Sequence, residues 1–412
     1  MQYGLIGEKL GHSFSPVIHG MLASHPYVLV ELTSQELCDF FVRRDFIGVN
    51  VTIPYKSACM PYLDEIDPLA KEIGAVNTVV NREGRLYGYN TDAQGIRAML
   101  ESAQISLKGK KVLILGTGGT SRTATAVAKA EGADILLVSR TSKAGVITYE
   151  EASTTHRDAE VIINTTPVGM YPNVDGIPID LTPFTRLTGV VDVVYNPLTT
   201  PLLRAAREKG IPAVGGLRML VEQAAAASAL FTGVEYPQSL IEEVYTKVYN
   251  QKKTLWLVGM PSSGKSTLGR LLAEAVGRPF VDLDTAFTET YGEPPDRVIR
   301  TLGEETFRQR ESALVKAKKY EMAGAVIATG GGAILKEENR AMMREDGCVL
   351  FLDRHLDLLT PTNDRPTAST REAMERRYRE RYPLYCEVAH HIIPADGTPS
   401  EVLAELLEVF KG

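Results

Sequence analysis

Two glycine-rich segments stand out for the chemistry that their spacing allows. Residues 116–119 follow the apolar run KVLIL, residues 259–267 follow TLWLV, and each precedes a sequence typical of a helix. Glycines at such a junction let the backbone approach a phosphate, which the N-terminus of the helix then stabilises. The first segment fits a dinucleotide turn, and the second matches the P-loop pattern in full. The chain is therefore predicted to bind two nucleotides, one for redox chemistry and one for phosphoryl transfer.

The dinucleotide turn is predicted to use Gly116, Gly118 and Gly119. After the next predicted strand come four further candidates for cofactor binding: Ser139, Arg140, Thr141 and Lys143. A site for NAD usually places Asp or Glu there to accept from the ribose 2′-hydroxyl, whereas an Arg favours a 2′-phosphate. The predicted cofactor of this site is therefore NADP(H).

The P-loop is predicted to surround the phosphates of ATP with its backbone amides. Lys265 would neutralise the transferred phosphoryl group, and the Ser266 hydroxyl would bind Mg²⁺. The nucleotide-binding residues of this site are predicted to be Gly259, Ser262, Ser263, Gly264, Lys265, Ser266 and Thr267.

A cluster of short polar side chains precedes the dinucleotide turn. It contains one lysine and one aspartate among hydroxyl and amide groups: Ser13, Ser15, Asn50, Thr52, Lys56, Asn77, Thr78, Asn90, Thr91 and Asp92. Such a set suits a polyhydroxylated, carboxylated small molecule. A Lys–Asp pair can pass a proton to a carbonyl oxygen as hydride arrives at its carbon, so Lys56 and Asp92 are predicted to be catalytic.

The elements that must position these residues alternate along the chain. Short Val/Ile/Leu runs alternate with helical patterns, which indicates an α/β fold. Strands are predicted at residues 2–6, 48–51, 76–80, 111–115, 135–139, 161–164 and 190–194. The polar stretch YNQKK at residues 249–253 precedes a new strand, and residues 107–110 precede the strand of the dinucleotide turn. Domains are therefore predicted at residues 1–106, 107–249 and 254–412.

Composition excludes several other classes of protein. The net charge is -6, the pI is about 5.8, and no long Lys/Arg run occurs, which argues against nucleic acid or an anionic membrane as a partner. No apolar run approaches the roughly 20 residues of a membrane-spanning helix. The four cysteines form no metal-binding pattern, so a reducing, cytoplasmic location is predicted. The sequence gives no indication of oligomeric state.

The motifs of the first 249 residues resemble those of shikimate dehydrogenase. GHSFSP, NVTIPYK, GAVNTVV, GYNTDAQG, GTGGTSR, NTTPVGM, DVVYNPLTTPLL and GLRMLVEQAA occur in that family's order. The resemblance implies NADPH-dependent reduction of 3-dehydroshikimate to shikimate, with Lys56 and Asp92 as the catalytic pair. The substrate-binding residues that it implies are Ser13, Ser15, Thr52, Asn77, Tyr195 and Gln223. Ser139-Arg140-Thr141 is similar to the family's Asn-Arg-Thr signature for NADP.

Residues 254–412 resemble shikimate kinase in the motifs FVDLD, GEETFRQRE, TGGGAI, DRP and RYPLYCEVA. That family phosphorylates the hydroxyl that the first reaction creates. Asp284 would orient or deprotonate this hydroxyl, and Asp282 would hold a water bound to Mg²⁺. Arg308 and Arg381 would bind the acceptor carboxylate. The other residues that the resemblance implies are Gly330, Gly331 and Gly332 at the acceptor and Arg365 over the transferred phosphate.

Together the resemblances imply a two-domain dehydrogenase with a Rossmann NADP-binding domain, followed by a P-loop kinase domain of α/β/α type with a parallel sheet. The small-molecule substrates would be 3-dehydroshikimate and shikimate. Residues 358–369 depart from the kinase pattern, because Thr and Pro replace a usual Arg and Thr367-Ala368 replaces an apolar pair. An alternative is therefore an active dehydrogenase, of shikimate or quinate type, fused to a kinase-like half that is regulatory or acts on another small acceptor.

Overall fold

The computed structural model describes residues 2–11, 13–23, 25–359 and 371–409. The chain divides into two compact units, residues 1–249 and 250–412. Both are built from α-helices and β-strands, as predicted. Within the described ranges, no helix is long and apolar enough to cross a lipid bilayer.

The first unit contains two six-stranded sheets. Its strands are β1 (Tyr3–Gly7), β2 (Tyr27–Glu31), β3 (Gly48–Val51), β4 (Glu65–Ile66), β5 (Thr78–Arg82), β6 (Arg85–Tyr89), β7 (Lys111–Leu115), β8 (Asp134–Ser139), β9 (Val146–Thr148), β10 (Val161–Asn164), β11 (Gly189–Asp192) and β12 (Ala213–Gly215). Its helices are α1 (Ser15–Leu22), α2 (Glu36–Arg43), α3 (Tyr55–Ala58), α4 (Pro68–Ile73), α5 (Asp92–Ser102), α6 (Gly119–Ala130), α7 (Tyr149–Thr155), α8 (Pro201–Glu208), α9 (Leu217–Thr232) and α10 (Gln238–Lys252).

The two sheets of the first unit differ in strand direction. The N-terminal sheet has the order β2-β1-β3-β5-β6-β4 and is mixed, because β5 runs antiparallel to both β3 and β6. The second sheet has the order β12-β11-β10-β7-β8-β9 and is parallel throughout. Its strand order reverses at β7, and ligands of such sheets bind at the carboxyl ends of the strands near that point.

The second unit contains one five-stranded parallel sheet with the order β14-β15-β13-β16-β17. Its strands are β13 (Thr254–Val258), β14 (Phe280–Asp282), β15 (Val326–Ala328), β16 (Gly347–Asp353) and β17 (His391–Pro394). Its helices are α11 (Lys265–Val276), α12 (Leu283–Tyr291), α13 (Pro295–Leu302), α14 (Glu304–Glu321), α15 (Glu337–Arg344), α16 (Arg371–Val388) and α17 (Pro399–Glu408).

The strands that lead into the two glycine segments are continuous apolar runs because helices cover both faces of their sheets. All residues of β13 are buried, as are the last four of β7. The side chains of β13 alternate between two cores, with Trp256 and Val258 in one and Leu255 and Leu257 in the other. Each glycine segment is therefore held at the carboxyl end of a central, fully packed strand.

Candidate active sites

The first candidate site is a cavity of about 210 Å³ in the N-terminal unit. It contains the predicted catalytic pair: the Lys56 ammonium donates to Oδ2 of Asp92 at 2.5 Å. Lys56 lies on α3, just after β3, and Asp92 is the first residue of α5. A carboxylate at a helix N-terminus is stabilised by the helix dipole, which favours this placement of Asp92.

Asn77 fixes the orientation of the aspartate. Its Nδ2 donates to Oδ1 of Asp92 and to the Thr91 hydroxyl, both at 3.0 Å, and its Oδ1 accepts from the Thr91 backbone amide at 2.7 Å. Asp92 thus receives a hydrogen bond on each oxygen while its side chain is only 8% exposed. The Lys56 side chain is 21% exposed, so the ammonium is the more accessible member of the pair.

All six predicted substrate-binding residues of this unit line the same cavity. Ser13 donates to the Ser15 hydroxyl at 3.1 Å, and Gln223 is anchored by a hydrogen bond to the Leu220 carbonyl. Burial raises the pKa of the Tyr195 phenol, which therefore remains a hydrogen-bond donor at neutral pH. The lining also includes seven residues that the sequence analysis did not single out: Leu5, Val51, Thr120, Val193, Gly216, Met219 and Leu220.

Met219 on α9 packs against Gly95 on α5, and both helices carry residues that line the cavity. A Cβ at Gly95 would lie 2.7 Å from the Met219 side chain and 2.8 Å from its carbonyl oxygen. Only glycine permits this approach of α5 to α9. The contact therefore sets Asp92, at the start of α5, relative to Gln223 on α9.

The dinucleotide turn lies at the carboxyl end of β7. Gly116 has a φ of 108°, and a Cβ there would lie 2.9 Å from the Thr165 hydroxyl, so the tight turn requires glycine. At Gly118 and Gly119 an added Cβ would meet no atom within 4 Å. The space beside both glycines at the N-terminus of α6 is therefore open, which fits a dinucleotide diphosphate.

The segment after β8 contains the residues that were predicted to bind the ribose phosphate of the cofactor. The Ser139 hydroxyl donates to the Thr141 carbonyl at 2.6 Å, and this local bond closes the turn that presents Arg140 to solvent. Lys143 is also exposed, and its backbone pairs with Val146. The two cations are therefore accessible to a phosphate at the end of β8.

The second candidate site includes the P-loop between β13 and α11. Gly259, Ser262 and Gly264 have φ values of 151°, 66° and 91°. A Cβ at Gly259 would lie 2.8 Å from the Leu352 carbonyl, so this position requires glycine. The buried Lys265 ammonium donates to the carbonyls of Gly259 and Met260 at 3.0 and 2.8 Å.

Ser266 and Asp282, the predicted Mg²⁺ residues, are adjacent. The Ser266 hydroxyl donates to Oδ2 of Asp282 at 2.5 Å, while Oδ1 of Asp282 caps α12 through the amides of Asp284 and Thr285. A hydroxyl and a carboxylate, with water at the remaining positions, suit Mg²⁺. Ser263 is a buried residue of the P-loop, and Thr267 is exposed on α11.

A cavity of about 140 Å³ next to the P-loop holds the predicted acceptor residues. Asp284, Arg308, Arg381 and the three glycines at 330–332 all line it. Arg381 donates to the Gly331 carbonyl at 3.1 Å, which ties α16 to this glycine segment. A Cβ at Gly332 would collide with the Arg308 guanidinium, so a side chain at this position would displace the arginine from its place in the cavity.

Arg308 has the helix ion pairs expected from its spacing and also lines the cavity. It donates to Glu311 at 2.6 Å and to Glu304 at 3.1 Å. Burial raises the pKa of the Glu311 carboxyl, although Arg308 beside it acts in the opposite direction. The ion pairs therefore hold the guanidinium in position, and its cavity face is available to a ligand.

Sequence reasoning missed several residues of this second cavity. They are Pro261, Pro295, Asp296, Ile299, Phe307, Glu311 and Arg377. The one signal that was available is the spacing of Arg377, which lies four residues before Arg381 and hence on the same helix face. The predicted catalytic Arg365 and the DRP motif lie outside the described residues.

A buried histidine behind the first cavity is expected to make the N-terminal unit sensitive to acid. His19 is 1% exposed and stacks on Tyr27, whose hydroxyl donates to Asn50 of the cavity. Burial, followed by the charge of His25, lowers the pKa of His19 to about 3, against an opposing hydrogen bond from Asn50. As the pH falls below about 6.5, His19 therefore takes up a proton in the unfolded chain before it does so in the folded chain.

As the pH falls from about 7 to about 4.5, we expect His19 to lower the free energy of unfolding by about 2–3 kcal/mol. His19→Phe, which keeps a buried ring, should flatten that pH dependence, whereas His355→Phe at an exposed site should not. Hydrogen exchange of peptides from the first unit at both pH values measures the effect. An equal acid response in wild type and His19→Phe would show that another group is responsible.

Family models match both parts of the chain. Residues 5–79 match the model described as shikimate dehydrogenase substrate binding domain, and residues 216–244 match the shikimate 5′-dehydrogenase C-terminal domain. Residues 261–411 match the shikimate kinase model.

Shikimate dehydrogenases from several organisms are similar to the N-terminal part of this chain. The chain is 43% identical to shikimate dehydrogenase (NADP(+)) of Halothermothrix orenii, over 58% of this chain and 93% of that protein. The chorismate mutase/shikimate 5-dehydrogenase fusion protein from Clostridium acetobutylicum is 37% identical with a TM-score of 0.56, over 60% of this chain and 96% of that one. Shikimate 5-dehydrogenase from Thermus thermophilus, solved with NADP(H) and shikimate, is 34% identical with a TM-score of 0.55, over 60% of this chain and 99% of that one.

Proposed function

Since this chain belongs to the shikimate dehydrogenase family and continues into a shikimate kinase domain, we propose that it performs two consecutive reactions. The first is reduction of 3-dehydroshikimate to shikimate with NADPH, and the second is transfer of the γ-phosphoryl group of Mg-ATP to the new hydroxyl. The observation that carries this proposal is that each unit places its reactive side chains in its own polar cavity.

In the dehydrogenase unit the ketone would lie against the Lys56–Asp92 pair. NADPH supplies the hydride. The Lys56 ammonium, which is oriented by Asp92, donates a proton to the carbonyl oxygen as negative charge develops there. Asn77 keeps the aspartate in place, and Ser13, Ser15 and Gln223 offer hydrogen bonds to the hydroxyls and carboxylate of the substrate.

In the kinase unit the acceptor would lie between the arginines and the P-loop. Arg308 and Arg381 hold its carboxylate, and Asp284 orients the attacking hydroxyl and accepts its proton. Ser266 and, through water, Asp282 would hold Mg²⁺, which would supply charge neutralisation at the phosphates. Lys265 lies among the backbone groups of the P-loop, where it stabilises the transferred phosphoryl group.

The cofactor preference of the first reaction provides a separate prediction. Arg140→Gln should raise the KM for NADPH about tenfold to a hundredfold and leave the KM for NADH nearly unchanged, because a charge-assisted bond to the 2′-phosphate is lost. Arg157→Gln, an exposed arginine outside the site, is the matched control. An equal rise in the KM values for NADPH and NADH would show that Arg140 does not bind the 2′-phosphate.

We also propose a cytoplasmic location, because the four cysteines are free thiols and the substrates and nucleotides are those of central metabolism. The function itself is tested by two steady-state assays on the full chain. NADPH oxidation is measured with 3-dehydroshikimate, and ADP release is measured with shikimate and Mg-ATP. Competition by quinate in each assay separates a shikimate enzyme from a quinate enzyme, since only the latter would prefer quinate.

A further inference from the structure

The acceptor cavity of the kinase unit contains a third arginine whose role no motif explains. Arg377 lies on α16, one helical turn before Arg381, and both line the cavity together with Arg308. Residues four apart on a helix share one face, so the guanidinium groups of Arg377 and Arg381 converge on the same space. Three cations thus border a cavity of about 140 Å³.

The ion pairs of the cavity leave Arg377 without a hydrogen-bonded carboxylate. Glu311 and Glu304 both bond to Arg308, and Asp296 pairs with Arg300 on α13. Arg381 bonds to the Gly331 carbonyl. Among the described residues, none hydrogen-bonds to the Arg377 guanidinium, which is nevertheless half-buried. Burial, followed by the positive charge of Arg381, lowers the pKa of Arg377, while the nearby carboxylates of Glu304 and Glu380 act in the opposite direction.

The neighbouring arginines also have unused donors. The Nε–H groups of Arg308 and Arg381 are buried, and no partner for either occurs in the described part of the chain. Buried donors are normally satisfied, so the arginines of this cavity are not fully paired with protein groups. An anion in the cavity would reduce the repulsion between the guanidinium groups of Arg377 and Arg381.

We propose that Arg377 is a specificity-determining residue that binds the carboxylate of the acceptor together with Arg381 and Arg308. This inference rests on the proposed function, because it assigns the acceptor of the kinase reaction. Arg377 would favour an acidic acceptor over a neutral polyol of the same shape. It would act on binding rather than on phosphoryl transfer, because Asp284 and the P-loop carry the chemistry.

The test compares shikimate with its methyl ester, which keeps the ring hydroxyls and lacks the charge. In the full-length enzyme, Arg377→Gln should raise the KM for shikimate about fivefold to tenfold, with kcat within about twofold and the KM for the ester unchanged. Arg377→Lys should recover part of the loss, because it restores the charge without the planar fork. Arg379→Gln on the exposed side of α16 should leave both KM values unchanged.

Three results would overturn the inference. If Arg377→Gln behaves like Arg379→Gln, the third arginine does not bind the acceptor. If the KM for the ester rises by the same factor as the KM for shikimate, Arg377 shapes the cavity and does not recognise charge. If wild-type enzyme phosphorylates neither acceptor, the proposed function fails and the inference fails with it, a result distinct from the other two.

Discussion

Lys56→Ala should lower kcat for the NADPH-dependent reduction of 3-dehydroshikimate by about 10³-fold. General acid catalysis typically contributes about 10²- to 10⁴-fold. Among the described residues that line the cavity, Lys56 is the one cationic donor, and Asp92 holds its ammonium at 2.5 Å. The KM should change much less, because the other hydroxyl and amide groups of the cavity still bind the substrate.

The control is Lys71→Ala, which removes an exposed lysine from α4. In steady-state kinetics, the kcat values of the two variants for the dehydrogenase reaction should differ by about 10³-fold. ATP-dependent phosphorylation of shikimate should stay at the wild-type rate in each. Asp92→Asn should also lower kcat, because the amide orients the ammonium without stabilising its charge. A loss of less than about tenfold for Lys56→Ala would assign proton transfer to another group.

Lys265→Met is expected to lower kcat for phosphoryl transfer by about 10²- to 10³-fold, as is typical when one preorganised group that stabilises the transition state is removed. Methionine retains most of the buried side-chain volume, so the P-loop should keep its conformation. The loss follows because the Lys265 ammonium lies within 3.0 Å of two loop carbonyls, where the phosphates approach.

For this variant, the release of ADP with shikimate is compared with that of Lys318→Met, which alters a lysine on α14 outside the cavity. The dehydrogenase reaction should be unaffected in both. Undiminished phosphoryl transfer by Lys265→Met would disprove the P-loop assignment, even if the protein still bound ATP.

Local sequence signals predicted the parts of the fold that depend on neighbouring residues. The predicted strands at 48–51, 111–115 and 161–164 have the same bounds in the structure, because each is a short, almost wholly buried segment rich in Val, Ile or Leu. At the start of α17, Thr398 and Glu401, which are three residues apart, form both reciprocal hydrogen bonds of a capping box. In these cases the residues that decide the structure are adjacent in the chain.

The acceptor cavity shows what such signals could not provide. Arg381 bonds to Gly331, fifty residues away in sequence, and Arg377 reaches the cavity only because α16 packs there. The spacing of Arg308 and Glu311 places them on one helix face, but it does not indicate that packing buries both side chains. Asn77 was predicted to bind substrate, but its bonds to Thr91 and Asp92 depend on how β5 and α5 meet. These features result from tertiary contacts that no local pattern encodes.

Mass spectrometry of the products tests the central claim most directly. Purified full-length protein is incubated with 3-dehydroshikimate, NADPH, ATP and Mg²⁺, and the acidic products are followed over time. The account predicts that shikimate forms first and is converted to shikimate 3-phosphate. Accumulation of shikimate without a phosphorylated product, or the absence of shikimate altogether, would contradict a chain that performs both reactions.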